Sequence, residues 1–298
     1  MNLSDYQMFV TIAECRNLTL AASQLHLTKS AVSHALAKLE KQLQFPLFYR
    51  NQKNMLLTDI GAQLLPYAHA VLRENDNFKE QIYKLQGLDT GVVRIGTWTS
   101  TGIHWIPDIV NAFRAQYPQI EIQVRSGANN VQILRWLANH EIDIGIGDAE
   151  PSPDLKVEEL CKDEMLCVTS RSFRPANPAY VTPEDIQDLP LILQDGDYSQ
   201  EAIETLEKIN LNSFSSFTAY DDFCLVAMAE SGLGYCVEGK LALKKLHMNV
   251  SAYPFHPPIY RRISLIQNSR VPPSPAIREM CRFIREYAAA YPEYELNL

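Results

Sequence analysis

Lys29, Ser30, Ser33 and His34 sit among apolar residues, Val32, Leu36, Leu39 and Leu43, that recur at steps of three and four. A helix over 29–43 would therefore turn cations and hydroxyls to one side and an apolar stripe to the other. Side chains of those types hydrogen-bond the edges of bases and the oxygens of phosphates. Lys38, Arg50 and Lys53 follow, so residues 29–53 carry five basic side chains against one acid, Glu40. That excess is either a phosphate-contacting surface or a solvated charged face. Catalytic signatures do not compete with it. The chain has no GxSxG, GxGxxG, P-loop or HExxH, and its seven His are not at metal-ligand spacing, so neither an enzyme nor a metal or cofactor site is expected.

The elements that would position these residues are legible nearby. Ser4 is a candidate N-cap for a short amphipathic helix carrying Tyr6, Phe9, Val10, Ile12 and Ala13. Thr19 would cap a second helix ending at Leu25, and Thr28 a third over Lys29 to Leu43. Two capped helices joined by a short turn make a helix-turn-helix, in which the second helix enters the major groove. Phe45 to Arg50 and Met55 to Leu57, around the polar Asn51-Gln52-Lys53-Asn54, read as a hairpin, the wing of such a domain.

These residues carry a resemblance. Ala21-Ala22-x-x-Leu25-x-Leu27-Thr28-x-Ser30-Ala31-Val32-Ser33-x-x-Leu36-x-x-Leu39-Glu40, then Pro46-Leu47-Phe48-x-Arg50 and Leu57-Thr58-x-x-Gly61, is similar to the DNA-binding signature of LysR-type transcriptional regulators. The resemblance implies a winged helix-turn-helix over 1–60. It implies base-reading contacts at Lys29, Ser30, Ser33 and His34 and a DNA contact at Thr28, with backbone contacts near Lys38, Arg50 and Lys53. The chain departs from the family at Lys29-Ser30, where Gln-Pro is usual, and at His34, where Arg is usual.

Leu64, Ala68, Val71, Asn75, Phe78, Ile82 and Leu85 recur at alternating steps of four and three. This is a heptad seam, and it predicts a linker helix over 61–87 that pairs with a copy of itself; the alternative is a lone helix packed on its own domain. Pairing would present two recognition helices to a pseudo-palindromic site. A dimer of dimers is implied only by the family. After a hinge at Gly87-Leu88-Asp89-Thr90-Gly91, short apolar strands alternate with helices to the end of the chain, a pattern of parallel α/β structure. Gly91-x-x-Arg94-Ile95-Gly96, Ile142-Asp143-Ile144-Gly145-Ile146 and Val226-Ala227-x-x-x-x-Gly232-Leu233-Gly234 resemble the same family's effector-binding domain. The resemblance implies a periplasmic-binding-protein-like α/β fold over 91–298, with two lobes (91–162 plus 268–298, and 163–267) crossing near Asp163 to Thr169 and Ile263 to Gln267.

In open α/β sheets a ligand sits beyond the carboxyl ends of the strands. Those ends are Thr97-Trp98-Thr99-Ser100-Thr101, Ser126-Gly127-Ala128-Asn129-Asn130, Gln194-Asp195-Gly196-Asp197-Tyr198 and Tyr220-Asp221-Asp222-Phe223. The family resemblance assigns its small-molecule effector contacts to the same segments. One rim offers hydroxyls for an anion and the other carboxylates for an ammonium, so a carboxylate- or amine-bearing effector would fit. Equally, Thr99 and Ser100 can cap their own helix, Asp221 and Asp222 the next one, and Trp98 can be core.

With 298 residues and 46% hydrophobic content the chain is long enough for more than one domain. The formal net charge of −8 argues against a nucleic-acid partner until it is divided: residues 1–90 carry nine basic against eight acidic side chains, so the acidic surplus lies beyond them. The chain has no membrane-length apolar run and opens without a basic or apolar leader; its six Cys form no CxxC pair. A cytoplasmic protein with reduced thiols and no membrane partner is expected. Two rivals remain: a thiol-based redox sensor of the same architecture, pairing Cys161 with Cys167 or Cys224 with Cys236, and a small-molecule-binding protein with no DNA role.

Overall fold

A computed structural model describes residues 1–50, 54–85, 90–127, 129–194, 200–211, 215–219, 221–244 and 248–291. The first helix, α1 (Leu3–Cys15), is capped by Asn2 and not by Ser4: Asn2 Oδ1 accepts from the Asp5 amide at 3.0 Å and the Asp5 carboxylate accepts from the Asn2 amide at 2.8 Å. In α2 (Leu18–Gln24) the cap is Asn17, which accepts from the Thr19 and Leu20 amides, so Thr19 lies inside the helix it was expected to open. Asparagine is as good a cap as serine or threonine, and periodicity alone does not choose between neighbours two residues apart. Thr28 does cap α3 (Lys29–Leu43), accepting from the Ala31 amide at 3.2 Å. Strands β1 (Phe48–Arg50) and β2 (Met55–Leu57) pair antiparallel with Phe48 opposite Leu57. Phe9, Ile12, Val32, Leu36, Leu39, Leu47 and Phe48 close a small core among these elements.

The helix α4 (Asp59–Leu85) runs unbroken through Pro66. Its start is fixed by Thr58, whose hydroxyl accepts from the Gly61 amide and donates to the Pro46 carbonyl at 2.9 Å. Beyond it lie β3 (Gly91–Thr97), α5 (Thr99–His104), α6 (Ile106–Gln116), β4 (Ile120–Ser126), α7 (Asn130–Ala138) and β5 (Ile144–Gly147). Then come β6 (Leu155–Ser170), α8 (Pro183–Ile186), β7 (Leu191–Gln194), α9 (Gln200–Glu207), β8 (Ser215–Ala219) and α10 (Asp222–Glu230). The chain continues through β9 (Cys236–Gly239), α11 (Lys240–Leu243), β10 (Val250–Asn268) and α12 (Pro275–Ala290).

The alternation of strands and helices predicts parallel sheets, and the structure is mixed. One sheet has the order β4-β3-β5-β10-β6-β9; β3 is parallel to β4 and β5, but β10 is antiparallel to β5 and β6, and β9 antiparallel to β6. The two crossing segments are much longer than the apolar cores that marked them. They pair with each other from Val250 opposite Ser170 to Asn268 opposite Leu155, and polar residues such as Lys162, Asp163, Arg261 and Arg262 in the ladder hide that length from a search for apolar runs. A separate parallel pair, β7 with β8, belongs to the second lobe.

One large core joins β3, β5 and α6 to α12 through Ile95, Phe113, Ile144, Met280 and Ile284. It also takes in Leu241 of α11, so the lobes are in contact beneath the cleft. Two smaller cores, around Tyr235 and Phe255 and around Val168 and Val226, fill the other lobe.

The helix α4 packs against the first lobe through polar side chains. Arg73 and Asp143, both buried, meet at 3.2 Å as a charge contact without an aligned hydrogen bond. Asp143 also accepts from the Arg94 amide at 2.8 Å, and the buried Glu80 carboxylate accepts from the Ala276 amide at 2.6 Å, at the start of α12. The apolar face of α4 is left outside, with Tyr67, Val71, Phe78, Ile82 and Leu85 exposed.

Candidate functional site

Two surfaces bring together residues of matching chemistry. On the first, α3 buries Val32, Leu36 and Leu39 and turns Lys29, Ser30, His34 and Lys38 to solvent, with Ser33 half-buried beside them. The Thr28 hydroxyl, besides capping the helix, lies 3.0 Å from the Ser30 hydroxyl, so both sit at the leading end of α3. A helix with this division can lie in a major groove without disturbing its own core. The wing begins at β1, which includes Arg50; the Arg50 side chain, and Lys53 altogether, lie outside what is described.

The second surface is a cavity of about 980 Å³ between the lobes. Trp98, Thr99, Ser100, Gly127 and Asn129 line it from one side, and Gln194 and Phe223 from the other. Ala128, Asp195 and Tyr198 lie outside the described residues. Two expected contacts are corrected: Thr97 and Thr101 are fully buried behind the cavity, their hydroxyls hydrogen-bonded to each other. They fasten β3 to α5. Trp98 has both roles that its sequence position left open, since it is 6% exposed yet lines the cavity, and its indole N–H donates to Asn130 Oδ1 at 3.1 Å. Asn130 also accepts from the Asp148 amide at 2.8 Å, tying three strand ends together. Gly127 has φ +86°, a left-handed turn that leaves α7 to start from Asn129, whose side chain accepts from the Gln132 amide. Asp221 is the cap of α10, accepting from the Cys224 amide at 2.8 Å, whereas Asp222 lines the cavity.

Residues not singled out in the sequence dominate the floor. Arg261 stands on β10; its guanidinium lies 4.7 Å from the centre of the Trp98 ring, donates to the Ser100 hydroxyl at 3.2 Å and pairs with Asp163 at 2.8 Å. Asp163 also accepts from the Leu241 amide at 2.9 Å. Arg262, next on the strand, pairs with Asp148 at 3.0 Å and Glu150 at 2.6 Å. Burial raises the Asp222 carboxyl above its ordinary value and Arg261 opposes that; burial likewise raises Asp148, with Arg262 opposing. A pair of adjacent arginines in an apolar-polar strand is the one signal in the sequence that could have pointed here.

Cys161, Cys167, Cys236 and Cys281 are in environments that suppress thiolate. Burial, with Asp163 next, pushes Cys161 up to about 11; burial also pushes Cys281 up to about 12 and raises Cys167 and Cys236. Reactive thiols need the opposite shift. Cys224 is exposed while Cys236 is buried, and all six cysteines are free. Among the described residues no group of His, Cys, Asp and Glu could hold a metal ion, and no helix is long and apolar enough to cross a membrane.

The seam expected on the linker helix divides. Leu64 and Ala68 pack into the core of the N-terminal elements, while Val71, Phe78, Ile82 and Leu85 are exposed and Asn75 is half-buried between them. The first turns of α4 are the last wall of that core, which a heptad count cannot distinguish from a seam.

Residues 3–62 match the family model described as bacterial regulatory helix-turn-helix protein, lysR family, and residues 86–289 the one described as LysR substrate binding domain. The HTH-type transcriptional regulator YvbU of Bacillus subtilis is 28% identical over 268 residues, 89% of this chain and 91% of that relative. The HTH-type transcriptional activator CmpR of Synechocystis is 30% identical over 204 residues, 68% of this chain and 66% of that relative. Among solved structures, a full-length OxyR variant from Pseudomonas aeruginosa superposes with a TM-score of 0.73 at 20% identity, covering 96% of this chain and 98% of that one. The LysR family regulator CbnR in complex with its target DNA superposes with a TM-score of 0.67 at 16% identity, covering 96% and 99%.

Proposed function

The chain belongs to the LysR family of transcriptional regulators, DNA-binding proteins and not enzymes, and on that premise we propose how its residues divide the work. Residues 1–60 bind promoter DNA, 61–87 form the dimerising linker, and 91–298 take up a small-molecule effector between their two lobes. The protein works in the cytoplasm as a homodimer or a dimer of dimers. Lys29, Ser30, Ser33 and His34 read base edges from α3, Thr28 fixes its leading end on the backbone, and Lys38, Arg50 and Lys53 contact phosphates. The observation that carries this reading is the division of α3: Lys29, Ser30, His34 and Lys38 lie outside with Ser33 half-buried beside them, while Val32, Leu36 and Leu39 anchor it.

Effector binding favours one lobe arrangement and thereby changes how the paired helix-turn-helix domains meet the promoter. The support is the rigid attachment of α4: Arg73 to Asp143 and Glu80 to the Ala276 amide bind the linker to the first lobe, so the two shift together.

Fluorescence anisotropy with the DNA upstream of the protein's own gene tests the assignment. Ser33→Ala and His34→Ala should each weaken specific binding by about 1–3 kcal/mol without lowering the melting temperature. Lys38→Ala should lower the slope of log affinity against log salt by about one. Unchanged affinity in Ser33→Ala would mean that α3 is not the reading helix.

A further inference from the structure

The sequence offers an anion at one rim of the cavity between the lobes and an ammonium at the other, and the structure favours the second. The Ser100 hydroxyl accepts from Arg261, and the Arg261 charge is in turn met by Asp163 behind the cavity wall. Arg262 is likewise met by Asp148 and Glu150. Against Lys162 and Lys208 the lining then sets Glu159, Glu204, Asp221, Asp222 and Glu238. Of these, Asp221 has its own duty as a helix cap, and Asp222 lines the cavity from the first turn of α10, faced by Arg261 and hydrogen-bonded by Gln194. Independently of charge, the cavity holds two large rings open to solvent, Phe223 at 55% and Tyr260 at 48% exposure. Carboxylates beside exposed rings suit an alkylammonium, whose nitrogen takes the carboxylate and whose methylenes and positive charge take the ring faces.

We propose that the effector is an aliphatic amine or amino acid whose ammonium group is held by Asp222, with its carbon chain against Phe223 and Tyr260. This rests on the inter-lobe cavity being the effector site. Burial raises the Asp222 carboxyl, and an ammonium beside it would bring it back down.

Three five-carbon probes that differ only in their ends separate the possibilities: 1,5-diaminopentane, 5-aminopentanoate and glutarate, titrated calorimetrically into the full-length protein. The diamine and the amino acid should bind tenfold or more tightly than glutarate. Asp222→Asn should weaken both amines tenfold or more, leave glutarate unchanged and leave DNA binding intact. Glutarate binding tightest, amine binding indifferent to Asp222→Asn, or no binding by any of the three would overturn the proposal. Ala242→Trp, which fills the cavity without changing charge, is checked for folding by circular dichroism and keeps the two readings apart. Amine binding that survives it would overturn the cavity as the site. Glutarate that binds more tightly than either amine and is lost in this variant would keep the cavity and overturn the ammonium.

Discussion

Glycine at 61 stands where a side chain has no room. A Cβ there would run into the Leu47 carbonyl oxygen and lie 3.1 Å from Leu57, so the wing would have to move off α4. Gly232 is glycine for a different reason, since its φ of +82° strains any L side chain although nothing lies within 4 Å. Both should destabilise when changed to alanine, Gly61→Ala by about 1–3 kcal/mol through overpacking and Gly232→Ala by about 1–2 kcal/mol through the backbone. Urea denaturation would measure both. Only Gly61→Ala should also weaken DNA binding, because only it displaces the wing. The two glycines were visible in the sequence as motif positions, but not why they are glycine. Arg261 showed in the sequence only as one of two adjacent arginines, with nothing to say what it meets. Its partner Asp163 is 98 residues away, and the two meet only because β6 and β10 pair in the register that sets Arg261 against Asp163.

The linker helix shows what periodicity can resolve. The 4-3 spacing finds the apolar face of α4, yet it is silent on the polar face, which carries the buried contacts to the first lobe. On that face lie His69 and, from the first lobe, His140, whose Nδ1 is 3.3 Å from an Arg73 guanidinium nitrogen. Both imidazoles are held below their ordinary value, first by burial. For His69 the neighbouring Arg125 and Arg94 add to this against Glu141; for His140 Arg73 adds against Glu74 and Asp143. The unfolded chain therefore takes up protons on them before the folded one does. Stability is complete above about pH 6.5, the unfolded imidazole value, and is lost as pH falls through the lower folded values. Glu80 and Asp143, raised by burial, act in the opposite sense, so the comparison must be made against a variant. Between about pH 7.5 and 5.5 the melting temperature of the natural protein should fall further than that of the His69→Gln, His140→Gln double variant. Equal slopes would show that these imidazoles take up protons in the folded state as readily as in the unfolded chain. The strands were legible to a similar degree. Apolar runs located β3, β4, β5 and β7, but the polar residues of β6 and β10 hid most of their length and with it the antiparallel half of the sheet.

At the scale of the whole molecule, α4 is used from both sides only if a second copy is present. Its polar face is committed to its own chain, and Phe78 at 67%, Leu85 at 88% and Ile82 at 38% exposure are left to water. Each such side chain gains about 1.5–3 kcal/mol on full burial, and a two-fold axis along the helix would bury each of them twice, with Asn75 able to set the register. Two chains joined this way would hold their α3 helices at a fixed separation, so half-site spacing in the promoter would be set by the pairing. Phe78→Glu with Ile82→Glu places like charges at the centre of the pair while altering no contact of the single chain's core. Sedimentation velocity should then show a lower oligomeric state. Affinity for a promoter with two half-sites should fall toward that for one, while circular dichroism and binding of the effector probes stay as they were. A variant that keeps both its mass in solution and its promoter affinity would mean that the exposed face of α4 is not where the two copies meet.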